Sequence, residues 1–178
     1  MTIGRWGVWF SSNALPLKDL ARLATEVEGH GYDILWYPEA MAYEAMSLGG
    51  YLLGRTSKLM LGSGIANIYA RDASAAMQGH NTLNSLYDGR FILGLGVSHI
   101  PIVEGARGHN YGKPLSAMRG YLEAMYAAPV QIKAPKRQVV LAALGPKMLA
   151  LSAELADGAL PYNVTPEHTA RARDIVGP

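Results

Sequence analysis

Short apolar runs and helical patterns alternate six times along this 178-residue chain, and that alternation constrains the fold more than any other feature. RWGVWF (5–10) reads as a first strand. LKDLARLATEVEGHG follows, with Leu17, Leu20, Leu23, Ala24 and Val27 on one face at helical spacing and Gly29 and Gly31 to end it. YDILWYPEA (32–40) is a second strand, and residues 44–54 are helical with Gly54 as a stop. LMLGSGIANIY is a third strand. DASAAMQGHNTLNSLYDGR is a third helix, capped by Asp72 or Ser74 and closed by Asp88-Gly89. FILGLGVSH (91–99) is a fourth strand, and residues 100–113 form a polar, glycine-rich loop. PLSAMRGYLEAMYAA is a fourth helix with Pro114 in its first turn, and APKRQ is a linker. VVLAAL (139–144), GPKMLALSAELADG and GALPYNV (158–164) are the fifth strand, fifth helix and sixth strand. Thr165 as cap and Pro166 at the first position open a last helix, which runs to VGP.

Strict alternation of this kind argues for parallel strands joined by crossover helices. The strands are near-continuous apolar runs, as expected where both sheet faces are covered. Two architectures fit. One is an open doubly wound sheet; the other is a (β/α)8 barrel, which needs eight strands and typically ~250 residues. Six units are present, and the last helix has no strand to return to. The expectation is therefore one domain over residues 1–178: an α/β chain of the (β/α)8 TIM-barrel type, shortened at its carboxy end to about six units. Such a remnant exposes two strand edges, so a partner copy is expected to cover them.

Composition removes several function classes. A net charge of +2, spread along the chain, gives no nucleic-acid face. The absence of cysteine removes disulfides, thiolate metal sites and thiol nucleophiles. The start MTIGRWGVWFSS lacks a signal pattern, and no apolar run approaches the ~20 residues of a membrane helix. A soluble cytoplasmic protein is the expectation, and Asn163-Val164-Thr165 reads as a chance sequon.

In both architectures ligands gather at the carboxyl ends of the strands. Ser11, Ser12 and Asn13 follow the first strand, and Pro38 and Glu39 the second. Glu39 there either touches a ligand or caps the next helix. The fourth strand ends in Gly96, Val97, Ser98 and His99; His99 is the best titratable candidate, or else a hydrogen-bonded loop histidine. LAALGPKM opens a helix at Gly145-Pro146 with Lys147 nearby, which is either an anion site or a plain strand-to-helix turn. Arg71 with Asp72 reads as a local ion pair plus a helix cap. His30 and His168 read as solvated, and none of the five histidines forms a close metal pair. GLGVSH has His99 where a dinucleotide fingerprint needs glycine, and GHNYGKP lacks Walker spacing. There is no G-x-S-x-G elbow. Few acid–base groups among many glycines, aromatics and small residues suit a planar redox cofactor that brings its own chemistry.

LGSGIANIYARD (61–72) places Gly62 and Gly64 inside a strand, where glycine weakens pairing and packs no side chain. This stretch and its continuation DASAAMQGHNTLNSLYDGRFILGLGVSH carry a resemblance. So do GYDILWYPEA, YGKPLSAMRGYLEAM and VVLAALGPKMLALSAELADGALPYNVTPEHTARARDIVGP. Together, over nearly the whole chain, they resemble the luciferase-like monooxygenase superfamily, and within it the actinobacterial deazaflavin-dependent oxidoreductases. The resemblance implies a (β/α)8 barrel, usually near 300 residues, and a homodimer. It implies a hydride-transferring oxidoreductase using coenzyme F-420 on a small organic substrate. A flavin mononucleotide (FMN) monooxygenase, or a shortened non-catalytic barrel, is the alternative. It places a third-strand bulge, often with a non-proline cis peptide, at Gly64 and Ile65, supporting the cofactor ring. Asn67, Gly96 and Val97 are implied to lie near the ring, and Ala142, Ala143, Leu144 and Gly145 to form the phosphate-binding turn. Two positions depart from the family. Glu39 matches an acidic position but Ala40 stands where many members have a catalytic histidine, and His99 stands where some have a glutamate. His99 and Glu39 are thus the catalytic candidates, His99 as the proton donor or acceptor.

Overall fold

A computed structural model describes residues 6–177; Arg5 of the first strand and Pro178 lie outside the described residues. Among the described residues six strands form one parallel sheet: β1 (Gly7–Trp9), β2 (Ile34–Tyr37), β3 (Met60–Ser63), β4 (Ala66–Asn67), β5 (Phe91–Gly96) and β6 (Val139–Leu141). Six helices return outside it: α1 (Leu17–Gly29), α2 (Ala45–Leu53), α3 (Ala73–Leu86), α4 (Pro114–Ala127), α5 (Pro146–Leu155) and α6 (Pro166–Val176). β1 pairs β2, β2 pairs β3, and β5 has β3 and β4 along one side and β6 along the other. This parallel order in sequence, with helices on one face, is the arc of a (β/α)8 barrel.

Alternation along each strand separates two cores. Leu35, Tyr37, Leu61, Phe91, Leu93, Leu95, Val139 and Leu141 face the helices and meet Leu20, Leu52, Met118 and Leu122 in the main core. Ile34, Met60, Ile92 and Val140 point the other way, into the concave face, with Trp36 and Leu160 against them. Farther along the same face of β3 and β5 come Gly62, Gly94 and Gly96, so side-chain bulk vanishes toward the carboxyl ends.

The third predicted strand is divided. Gly62 pairs Ile92 and Ala66 pairs Leu95, so four steps along the third strand match three along β5. One extra residue against a regular partner is a β-bulge. Ser63 repairs the ladder there: its hydroxyl donates to Gly94 O at 2.9 Å and accepts from Gly94 N at 2.9 Å. The Gly64–Ile65 peptide within the bulge is cis.

The predicted sixth strand shrinks to a single bridge, Leu141 to Ala159. Pro161 has no N–H to extend the ladder, and Asn163 turns the chain away at φ 53°. The predicted loop 100–113 contains a wide helical turn, Pro101–Ala106, started by the His99 carbonyl, which accepts from Ile102 N and Val103 N at 3.0 Å. Helix starts follow the sequence: Asp72 accepts from Ala75 N, and Thr165 from His168 N with Pro166 in the first turn. Among the described residues no helix is long and apolar enough to cross a membrane.

Candidate active site

Glu39 is the knot of the strand ends. It is buried, and three donors hold it: Ala45 N at 3.2 Å and Arg71 Nη2 on Oε1, and Asn67 N at 2.8 Å on Oε2. Its own N–H donates to Ile65 O at 3.0 Å. Glu39 therefore joins the end of β2 to the start of α2, to the bulge and to β4. The cap of α2 is instead Glu44, which accepts from Met46 N and Ser47 N. Arg71 does not pair with Asp72; its Nη2 bridges Glu39 and Glu44. Burial pulls the Arg71 guanidinium down, but the hydrogen bond to Glu39 and the charges of Glu39 and Glu44 outweigh it and raise it. The same hydrogen bonds to Ser47 and Met46, with Arg71, hold the Glu44 carboxyl below its ordinary value against the upward pull of burial.

The bulge forms a floor. A Cβ at Gly96 would lie 2.6 Å from Ile65 Cγ1, so absence of a side chain on β5 lets Ile65 sit over it. A Cβ at Gly64 would lie 2.9 Å from Trp9 Nε1 and 3.4 Å from Leu160. The Trp9 indole donates to Gly64 O at 2.9 Å and packs on Tyr162 at 4.8 Å between ring centroids. The surface above the strand ends is thus Trp9, Ile65, Ala142 and Leu160, partly or fully open to solvent, rather than bare glycine backbone, whereas the Val97 side chain packs against the helix-side core. Asn67 lies deeper; it is 1% exposed and its Oδ1 accepts from Tyr69 N at 2.9 Å.

The anion turn lies at the end of β6. Ala142 N donates to Leu95 O at 2.8 Å and continues the ladder. The Ala143 side chain points away, into a small core with Leu149 and Ala172, so this residue bears on the turn through its backbone. Leu144 and Gly145 are exposed, and nothing lies within 4 Å of a Cβ built at Gly145. Gly145 caps α5 in an extended conformation and its carbonyl accepts from Met148 N and Leu149 N; among the described residues no partner takes the Gly145 and Lys147 N–H groups. Free amides and the positive helix end favour an anion. His168, expected to be solvated, is half-buried, and its Nε2 bonds Leu144 O at 2.8 Å, bracing the turn from α6.

His99 is exposed at the end of β5, and its imidazole makes no hydrogen bond to the described residues. It does not line a cavity of about 440 Å³ whose walls include Glu39, Tyr43, Glu44, Tyr69, Arg107 and His109. Neither that cavity nor a second, of about 310 Å³ beside His80 and Tyr126, is lined by Gly64 or Gly145. Sequence reasoning passed over Trp9, Ser63 and Arg107. An arginine in the glycine-rich stretch GARGHNY is the one signal that pointed to Arg107.

A parallel sheet backed by returning helices, with a bulged third strand and an open helix start at its carboxyl face, defines a barrel-type scaffold. The chain belongs to the luciferase-like monooxygenase family, whose profile matches residues 1–176. A Mycobacterium tuberculosis protein named as a coenzyme F-420-dependent oxidoreductase is 30% identical over 198 aligned positions, covering 93% of this chain and 55% of the relative. The 5,10-methylenetetrahydromethanopterin reductase of Methanolobus tindarius is 29% identical over 167 positions, covering 82% of this chain and 50% of its own. The chain thus spans about half the length of the curated relatives it matches. Among solved structures, an F-420-dependent secondary alcohol dehydrogenase in complex with an F-420–acetone adduct superposes with a TM-score of 0.82 at 16% identity, over 96% of this chain and 64% of that one. At that identity the likeness concerns the fold.

Proposed function

We propose that this chain carries the cofactor-binding part of an oxidoreductase that transfers a hydride between coenzyme F-420 and a small organic substrate. The observation that carries the reading is the pairing of two features at one sheet face: an open apolar floor built on the bulge, and an unblocked α5 amino terminus at Gly145. The residues fit the cofactor at both features. Ile65 and Ala142 would take the flat ring, in company with Trp9 and Leu160 and with the Gly96 and Val97 backbone nearby, and the amides around Leu144 and Gly145 would take the phosphate, with Lys147 adding charge. Bound there, the deazaflavin supplies a two-electron hydride acceptor or donor.

The protein's own residues then have separate parts. Glu39 keeps all its oxygens in hydrogen bonds to Ala45, Asn67 and Arg71, so it fixes the loops and the bulge as a positioning residue. His99 is the exposed imidazole at the end of β5 and is the group proposed to exchange a proton with the substrate. His168 and Asn67 hold the turn and the end of β4. The test is a titration of the purified protein with F-420 and, separately, with FMN, read by cofactor fluorescence. F-420 is expected to bind at least tenfold more tightly. Tighter FMN binding would support the monooxygenase reading, and binding of neither would support a non-catalytic barrel.

A further inference from the structure

We propose that the cavity of about 440 Å³ between the loop after β2 and the segment after β5 holds the oxyanion end of a planar, singly anionic substrate, anchored by Arg107, with the reacting end outside the cavity, since neither His99 nor Gly64 lines it. This rests on the oxidoreductase reading above and adds a substrate class to it. Three stretches of chain form the walls: residues 39–44, Tyr69 with Ala70, and Ala106 to His109. The third wall is fastened rather than loose. The Tyr69 hydroxyl donates to Tyr111 O, the Tyr111 hydroxyl donates to Ser98 O at 3.1 Å, and Tyr111 N donates to Glu104 Oε1 at 3.2 Å. The Tyr69 ring stacks on Tyr111 at 6.0 Å and lies 6.2 Å from the His109 ring.

An unpartnered buried donor singles out Arg107. Glu39 and Glu44 share Arg71, and the backbone amides of Ala45, Asn67, Met46 and Ser47 also donate to them. Arg107 forms no ion pair among the described residues, and its Nε is buried with no hydrogen-bond partner. A buried guanidinium N–H without an acceptor is costly, and a planar oxyanion is the group that matches its fork. A neutral alcohol or ketone offers one acceptor and no counter-charge. A second anionic group would face Glu39 and Glu44 across the cavity, so one oxyanion is the preferred number. Tyr43, Tyr69 and His109 supply flat faces for a ring or a conjugated chain. Carboxylate and phosphate share this chemistry.

The test uses the cofactor-free full chain in calorimetric titrations with benzoate, phenyl phosphate and benzyl alcohol, which share a ring and differ in charge. Both anions are expected to bind at least tenfold more tightly than benzyl alcohol; whichever of the two binds better assigns the carboxylate or the phosphate as the natural group. Arg107→Met is expected to abolish the advantage and Arg107→Lys to keep part of it, with both variants checked for native melting. Equal binding of all three probes, or anion binding unchanged in Arg107→Met, overturns the proposal. Because F-420 is absent, that failure leaves cofactor binding standing; anion binding without F-420 binding would instead sink the cofactor reading and leave the pocket.

Discussion

Replacing Glu39 by Gln tests whether one buried carboxylate organises the strand ends. The Glu39 side chain is 3% exposed and that of Arg71 11%. Three donors converge on the carboxylate: Ala45 N, Asn67 N and Arg71 Nη2. A carboxamide of the same shape has one acceptor oxygen. If that oxygen serves Ala45 and Arg71, the new NH2 confronts Asn67 N–H; if reversed, it confronts the guanidinium. Breaking a buried charge pair typically costs about 3–5 kcal/mol. Glu44 remains on Arg71 at 2.7 Å, so the expected loss is somewhat lower, about 2–4 kcal/mol. In a chain of this length that corresponds to a fall in Tm of about 5–12 °C. Urea denaturation followed by circular dichroism measures it. Glu44→Gln is the control: its carboxylate is 45% exposed and the amide keeps a capping oxygen, so the loss expected is under about 1 kcal/mol. Equal losses in the two variants, or less than about 1 kcal/mol for Glu39→Gln, would refute the reasoning.

Gly94→Ala places a methyl 2.0 Å from Ser63 O, a backbone atom that cannot step aside, and is expected to destabilise by about 3 kcal/mol or more in denaturant melts. A native-like midpoint would show that the bulge is not packed as described. His80 is buried, with Nδ1 bonded to Asn81 Oδ1 at 3.0 Å and Nε2 facing Gln138 N at 3.4 Å. Burial holds this imidazole below its ordinary value of 6.5, the Asn81 hydrogen bond opposing only in part. The unfolded chain therefore binds a proton that the native one refuses, so the His80 contribution is complete above about pH 6.5 and declines as the pH falls toward the lowered native value. The urea midpoint should drop between pH 7.5 and pH 5.5; a flat or rising profile contradicts this. His99→Ala is expected to lower turnover by ~10²-fold or more with F-420 affinity retained. Unchanged turnover would remove His99 from the chemistry.

The alternation of apolar runs and helices was enough to read the parallel sheet, five of its strand positions and the helix caps at Asp72 and Thr165, because those depend on local periodicity and capping chemistry. Gly62 and Gly64 marked the stretch as unusual and the family resemblance placed the bulge at Gly64 and Ile65, but the role of Ser63 stayed hidden because it needs the facing Gly94 of β5. Long-range pairing also hid the fate of Arg71: adjacency suggested Asp72, whereas the fold brings Glu39 from 32 residues away. The sixth strand was overread because its apolar content was given more weight than Pro161, which has no N–H to carry the ladder beyond the single bridge at Ala159. Trp9 over Gly64 could not be read at all, since it depends on which concave-face side chains the arc brings across the sheet.

The affinity of Gly145→Asp for F-420, set beside that of the unaltered chain, tests the central claim most directly. Gly145 has φ −85° and ψ 154°, a conformation open to any residue, and nothing surrounds its Cβ position. Asp is a favoured helix cap, so melting should hold or rise slightly. The same carboxylate occupies the amides meant for the cofactor's phosphate and repels it. A loss of F-420 affinity of at least tenfold with unchanged or higher Tm is the predicted result. Equal affinity in the two proteins would place the anionic end of the cofactor elsewhere and contradict the account.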